Sequence, residues 1–388
     1  MTRIVLLALA LILAAPAAQA QLGGLGVPNV GGVANDVLDR TTSTADRALN
    51  DVGELTEARA NRARELLRRH RRDLEADPDG QPIVRSQILA LAPSEAALAA
   101  ARAEGFEIVS TEALEGGALV VLRAPRALST RRALDRLRES DPQGVYDFDH
   151  LHLESGVATI APAIAQQSAA GGPRIGLIDG GVANSRAIAS QRAFASDAPV
   201  ASSHGSAVAS LLARAAPGAR IYVADIYGGA PTGGSAAALS RALSWLAGEN
   251  VPVINVSLVG PRNRVVESVI ARVIQRGAVV VAAVGNDGPA ARPLYPSAYD
   301  GVVGVTGVDG RGRVLREAGR GPQVDFAALG VHSDPSVRGT SFAAPIVAGL
   351  IAQSSLQRVR ASAQDLGARG RDDAYGEGLV GGNLLAER

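Results

Sequence analysis

The sequence of 388 residues contains no cysteine. That excludes a disulfide framework, a cysteine nucleophile and any thiolate-bound metal. Lysine is missing too, so arginine carries all the basic side-chain charge. With abundant alanine and glycine, this reads as the composition of a GC-rich genome rather than as a function. Net charge is nearly absent as well: the formal value is +1, which gives no global bias toward nucleic acid or acidic partners. No segment reaches the roughly 20 apolar residues needed to cross a bilayer, so no stable membrane span is expected. What is present is an ordinary globular balance, 47% hydrophobic and 20% charged, enough for a sizeable core and two or three domains.

The N-terminus has a distinct layout. Arg3 precedes the apolar run Ile4 to Ala15, and Ala18-Gln19-Ala20 supplies a small-x-small site. This is the arrangement of a cleavable secretory signal over residues 1–20 and predicts a secreted or periplasmic protein. Residues 21–80 form a basic, partly helical segment, with Arg68, Arg69, Arg71 and Arg72 around His70. Few apolar residues line one face of it, so it reads as a solvated helix of a precursor rather than as an anchor to an anionic surface. Residues 81–150 follow the order βαββαβ, which matches a small ferredoxin-like α/β sandwich. Residues 151–172 are rich in Ala, Ser, Gln and Gly without a period and read as a linker. From 173 to 388, short apolar strands alternate with helices. That predicts a parallel sheet covered on both faces, with its site at the carboxyl ends of the strands.

Four segments carry chemistry. Gly339-Thr340-Ser341-Phe342-Ala343-Ala344-Pro345 sets a serine at the start of a small-residue helix, where free N–H groups could hold an oxyanion. His204-Gly205-Ser206 opens a second helix. Ile178-Asp179-Gly180-Gly181 ends an apolar strand with an aspartate that could accept the Nδ1 proton of His204. Ala283-Val284-Gly285-Asn286-Asp287-Gly288 places an asparagine after a buried strand, where its amide could face an oxyanion. Each alone is ordinary: a serine helix cap, a structural histidine, a turn aspartate, a turn asparagine.

Together the four resemble the subtilisin-like serine protease family, over about residues 172 to 388. The resemblance implies Ser341 as nucleophile, His204 as general base, Asp179 as the orienting acid and Asn286 as oxyanion donor. It also implies that Ser257 and Gly260, within Asn255-Val256-Ser257-Leu258-Val259-Gly260, bind substrate backbone, and that Ala283 and Gly285 border the pocket before the scissile bond. Residues 81–150 then become a prodomain, the enzyme's own intramolecular inhibitor, and the other partners become protein or peptide substrates. No metal or organic cofactor is needed for the chemistry. The family's calcium is admitted by the resemblance, but no acidic loop cluster marks a site. Gly180 after Asp179, Phe342 after Ser341 and Val259 before Gly260 depart from the common pattern, and short Asp–His and His–Ser intervals imply trimmed loops. A dead scaffold would lack a triad member, and all three stand. An esterase would carry a G-x-S-x-G elbow and the order Ser, Asp, His; neither is found.

Overall fold

A computed structural model describes residues 57–382, apart from 115, 155, 157, 159–166, 184 and 333–336. The expected signal, residues 1–20, lies outside the described residues.

The described chain begins with helix α1, residues 57–69. A small α/β unit follows: β1 (Leu74–Ala76), β2 (Pro82–Leu91), α2 (Glu95–Ala103), β3 (Glu107–Leu114), β4 (Gly117–Arg123), α3 (Thr130–Ser140) and β5 (Val145–His150). From β2 onward the order is the βαββαβ read from the sequence; β1 adds a short strand beside β2. Local chemistry sets the helices. Ser94 Oγ accepts the Ala97 N–H and Ser129 Oγ accepts the Arg132 N–H, so each serine caps its helix. Strand period sets the sheet. Ile88 and Ala90 face α2 and α3, whereas Leu89 and Leu91 point the other way, toward the larger unit.

The larger unit holds a sheet of seven parallel strands: β7 (Arg174–Asp179), β8 (Ile188–Ala193), β9 (Arg220–Asp225), β10 (Val253–Val256), β12 (Val279–Ala283), β13 (Val303–Val308) and β14 (Phe326–Leu329). Their spatial order is β14-β13-β12-β10-β7-β9-β8. After β7 the chain builds one side of the sheet, then returns to build the other. The direction reverses between β7 and β10, and a crevice at the strand ends is expected there. Helices α4 (Ser203–Ala215) and α7 (Ala344–Gln353) cover one face. They approach closely: a Cβ on Gly349 would lie 2.5 Å from the Ala215 Cβ. Helices α5 (Ala236–Gly248) and α6 (Arg264–Gln275) cover the other face.

The small unit sits on α5 and α6. Leu89, Leu91, Leu119 and Val121 join the same buried cluster as Leu239, Leu243, Val266 and Ile270. Burying each such side chain contributes about 1.5–3 kcal/mol. Carboxylates fix the register of this contact. Asp149 Oδ1 accepts the Ala237 N–H (2.9 Å) and Asp147 Oδ2 accepts the Arg264 N–H (2.7 Å). Both N–H groups belong to helix first turns that have no partner inside the helix.

Two expectations differ from the observed structure. The stretch 151–172, read as an unpatterned linker, starts with a strand: β6 (Leu153–Glu154) pairs antiparallel with β11 (Leu258–Val259). On its other side Leu151 bridges to Ser235, and the His152 N–H donates to the Gly234 carbonyl (2.7 Å). Partners on both sides hold this segment, so it needs no period of its own. Ser341, expected at the start of a small-residue helix, stands instead in a 3₁₀ turn (Thr340–Phe342) ahead of α7, with Pro345 in the first turn of α7. Proline fits there because its missing N–H would have no helical partner.

Candidate active site

Asp179 ends β7 and is fully buried. Both of its carboxylate oxygens lie 2.9 Å from His204 Nδ1. His204 stands on the first turn of α4, which Ser202 caps by accepting the Gly205 N–H. A Cβ at Gly205 would meet the Gly180 carbonyl at 2.3 Å, so a glycine is required for the helix to seat this tightly on the strand end. Burial alone would lower the His204 pKa. The Asp179 charge and hydrogen bond, helped by Glu154, more than offset it, and the imidazole is raised to about 9.

Ser341 is also fully buried, in the 3₁₀ turn. Its Oγ donates to the Ser257 carbonyl (3.0 Å), while its own carbonyl accepts from Ser257 Oγ (2.9 Å). Asn255 Nδ2 in turn donates to Ser257 Oγ (2.9 Å). Ser257, expected to bind substrate, therefore grips the Ser341 loop. His204 Nε2 makes no hydrogen bond, and the imidazole packs against Phe342, ring centroids 5.3 Å apart.

Asn286 Oδ1 accepts the Thr340 N–H (3.0 Å), which fixes which way the amide faces. A Cβ at Gly339 would lie 2.9 Å from Asn286 Nδ2 and 3.0 Å from the Gly156 Cα, so all three meet in one space. Gly285, at φ +99, donates to Thr340 Oγ1 (3.2 Å). Its missing Cβ would strike Leu294 at 2.6 Å. Ala283 ends β12 and is fully buried. Gly260 pairs with Tyr295 and lies under the His152 ring, whose Cδ2 would be 2.4 Å from a Cβ there.

The structure adds residues to the site that the sequence reading did not include. Leu151 to Glu154 run as a strap through the crevice, with Glu154 opposite Leu258 and Leu153 opposite Val259. Glu154 faces the Asp179–His204 pair. Burial raises its pKa; Asp179 and Asp225 add to that, and His204 opposes them. Glu154, Asp179 and His204 are the group among the described residues whose possible metal-donor atoms lie within 4.8 Å of one another. Asp179 in that group is already committed to His204 Nδ1 and to the Gly180 N–H (2.7 Å), so the group reads as a charge network around the His204 imidazole. His152 is buried as well, and burial followed by the His150 charge lowers its pKa to about 3.

A buried carboxylate–imidazole pair at the switch point of a parallel sheet is an arrangement that hydrolases of the acyl-transfer type use. The family model of the subtilases matches residues 172–366, half of the chain, and the chain belongs to that family. It is a serine-type endopeptidase. Subtilisin E of Bacillus subtilis (strain 168) is 27% identical over 267 residues, covering 60% of this chain and 70% of that protein. A thermostable alkaline protease of Halalkalibacterium halodurans is 29% identical over 243 residues, covering 54% of this chain and 66% of its own. Fervidolysin from Fervidobacterium pennivorans has the same fold at 18% identity, with a TM-score of 0.64 over 80% of this chain and 62% of that one.

Proposed function

We propose that the chain is an exported endopeptidase made as a precursor, which cuts itself between Ser155 and Gly156 using Asp179, His204 and Ser341. The observation that carries this reading is the strap: a segment of the chain's own backbone pairs with β11 as a substrate strand would. Glu154 lies opposite Leu258, and Gly156 shares the space beside Gly339 with the Asn286 amide. The position of Gly156 beside that amide supports the peptide bond that precedes Gly156 as the bond to be cut. The arrangement of Arg3, Ile4 to Ala15 and Ala18-Gln19-Ala20 supports export.

In this mechanism Ser341 Oγ leaves the Ser257 carbonyl and turns to His204 Nε2. The oxygen attacks the carbonyl carbon of residue 155 while Nε2 takes its proton, and Asp179 stabilises the imidazolium. The Asn286 amide and the backbone N–H at Ser341 hold the oxyanion. His204 then gives the proton to the Gly156 nitrogen, and the peptide bond breaks. Water, deprotonated by His204, releases residue 155 from the ester and restores Ser341. Residues before the cut form the prodomain, which remains as an inhibitor, and other proteins or peptides take the place of the strap. No step requires a metal or an organic cofactor. Calcium, which the family commonly uses, would serve stability rather than this chemistry.

N-terminal sequencing of the mature enzyme tests the reading. The expected first residue is Gly156; a start within 167–172 would refute the strap as the processing site. The oxyanion role has its own test. Asn286→Ala should fold, with kcat lowered roughly 10²–10³-fold and KM little changed, because the amide acts mainly on charge formed in the transition state. That range is the one known for subtilisin. Steady-state kinetics with a melting curve would decide, and a folded variant with unchanged kcat would remove Asn286 from the mechanism.

A further inference from the structure

Helix α1 lies ahead of the βαββαβ unit, and one face of it is docked. Arg59 and Ala63 are buried, Leu66 and Leu67 half-buried, and this spacing marks a single helical face. The opposite face is solvated, with Glu65 bridged to Arg68 and Arg69. Leu66 and Leu67 pack against Leu74, Val84 and Leu151, the residue that begins the strap. At the other end of the helix, Arg59 Nη1 donates to Asp287 Oδ2 at 2.9 Å, across 228 positions of sequence. The two side chains are only 11% and 10% exposed. Asp287 directly follows Asn286. One end of α1 thus holds the start of the strap and the other holds the loop of the oxyanion donor.

We propose that α1 is a second inhibitory contact surface of the precursor, latched to the cleft rim by Arg59–Asp287, so that cutting after Ser155 does not by itself open the site. The proposal rests on the self-processing reading above. Three physical points support it. A helix this short is marginal in water, so its order depends on what it docks against. Its apolar contact is small, one alanine and two half-buried leucines, which gives the ion pair a large share in fixing its position. The pair is largely buried, and breaking such a pair costs more than losing an exposed bridge. Arg59 also lies on the side of the cut that departs, so its effect should be confined to the time before release.

The test has two arms. In the first, the full chain carries Ser341→Ala and stays uncut, and hydrogen exchange of the α1 amides is followed. Adding Arg59→Ala should speed exchange over 57–69 by about tenfold or more. In the second, the active chain is followed from cleavage to the appearance of peptidase activity. Arg59→Ala should shorten that lag by about tenfold or more, with unchanged kcat in the fully matured enzyme, which no longer contains residue 59. The swapped pair, Arg59→Asp with Asp287→Arg, should restore much of the lag. Arg59→Met, which keeps the aliphatic stem, serves if the alanine variant fails to fold. Unchanged exchange, an unchanged lag, or a swap no better than its single changes would overturn the latch. A chain that never cuts itself would instead overturn the processing reading, while the exchange arm would still decide whether Arg59 holds α1.

Discussion

Ser341→Ala is expected to accumulate as the uncut precursor and to lose about 10⁶-fold in kcat on an external peptide, the size known for subtilisin. The geometry says why the loss should be chemical rather than structural. Ser341 gives one hydroxyl hydrogen bond to the Ser257 carbonyl, and losing such a bond costs about 1 kcal/mol. Its carbonyl stays bonded to Ser257 Oγ, so the turn keeps its shape. The nucleophile disappears while the oxyanion donors remain, so a small residual rate of cutting at the chain's own strap, above that in water, should persist. Gel mobility of the chain made in a host lacking other proteases, together with kinetics on a fluorogenic peptide, measures both effects. Normal maturation of this variant would mean that another protease does the cutting.

Asp179→Asn should fold and lower kcat by roughly 10⁴-fold, the loss known when this substitution is made in another triad enzyme. An amide in place of the carboxylate can donate to Nδ1, which forces the proton onto Nε2 and removes the lone pair that would accept from Ser341. The charge effect has a second signature. His204 is held at about 9 because Asp179, with help from Glu154, outweighs burial. With residue 179 neutral, burial should prevail, and the imidazole should titrate well below 9, toward or under its ordinary 6.5. Proton NMR of His204 in the uncut chain would record the change. An imidazole still titrating near 9 would show that Asp179 is not what charges it.

The central strands β7, β9, β10, β12 and β13 were legible because both of their faces are buried and their sequences are nearly continuous apolar runs. A search for apolar runs does not reach β8 and β14. Ile188-Ala-Ser-Gln-Arg-Ala193 is a polar edge strand, half-solvated on its outer side, and Phe326-Ala-Ala-Leu329 is too short and alanine-rich to show a period. Asp179, His204 and Ser341 stood out because glycines and helix starts surround them, and those features belong to the local sequence. Glu154 did not stand out, since its meaning comes from pairing with Leu258, far along the chain. Arg59 was hidden among many arginines of an apparently solvated helix. Only the fold sets it against Asp287.

The strap has a further consequence for how activity emerges. While the chain is intact, Leu151 to Glu154 are tethered to the cleft on both sides, and a short tether gives an effective concentration on the order of millimolar. An external substrate must outcompete that local excess. The proposed cut would remove the tether, and the released piece would be present at no more than the concentration of the enzyme itself. Occupancy of the cleft then follows mass action, falling on dilution and rising as the protein is concentrated. The same molecule would be shut where it is made in bulk and open where it is dispersed, with the switch set by volume as much as by chemistry.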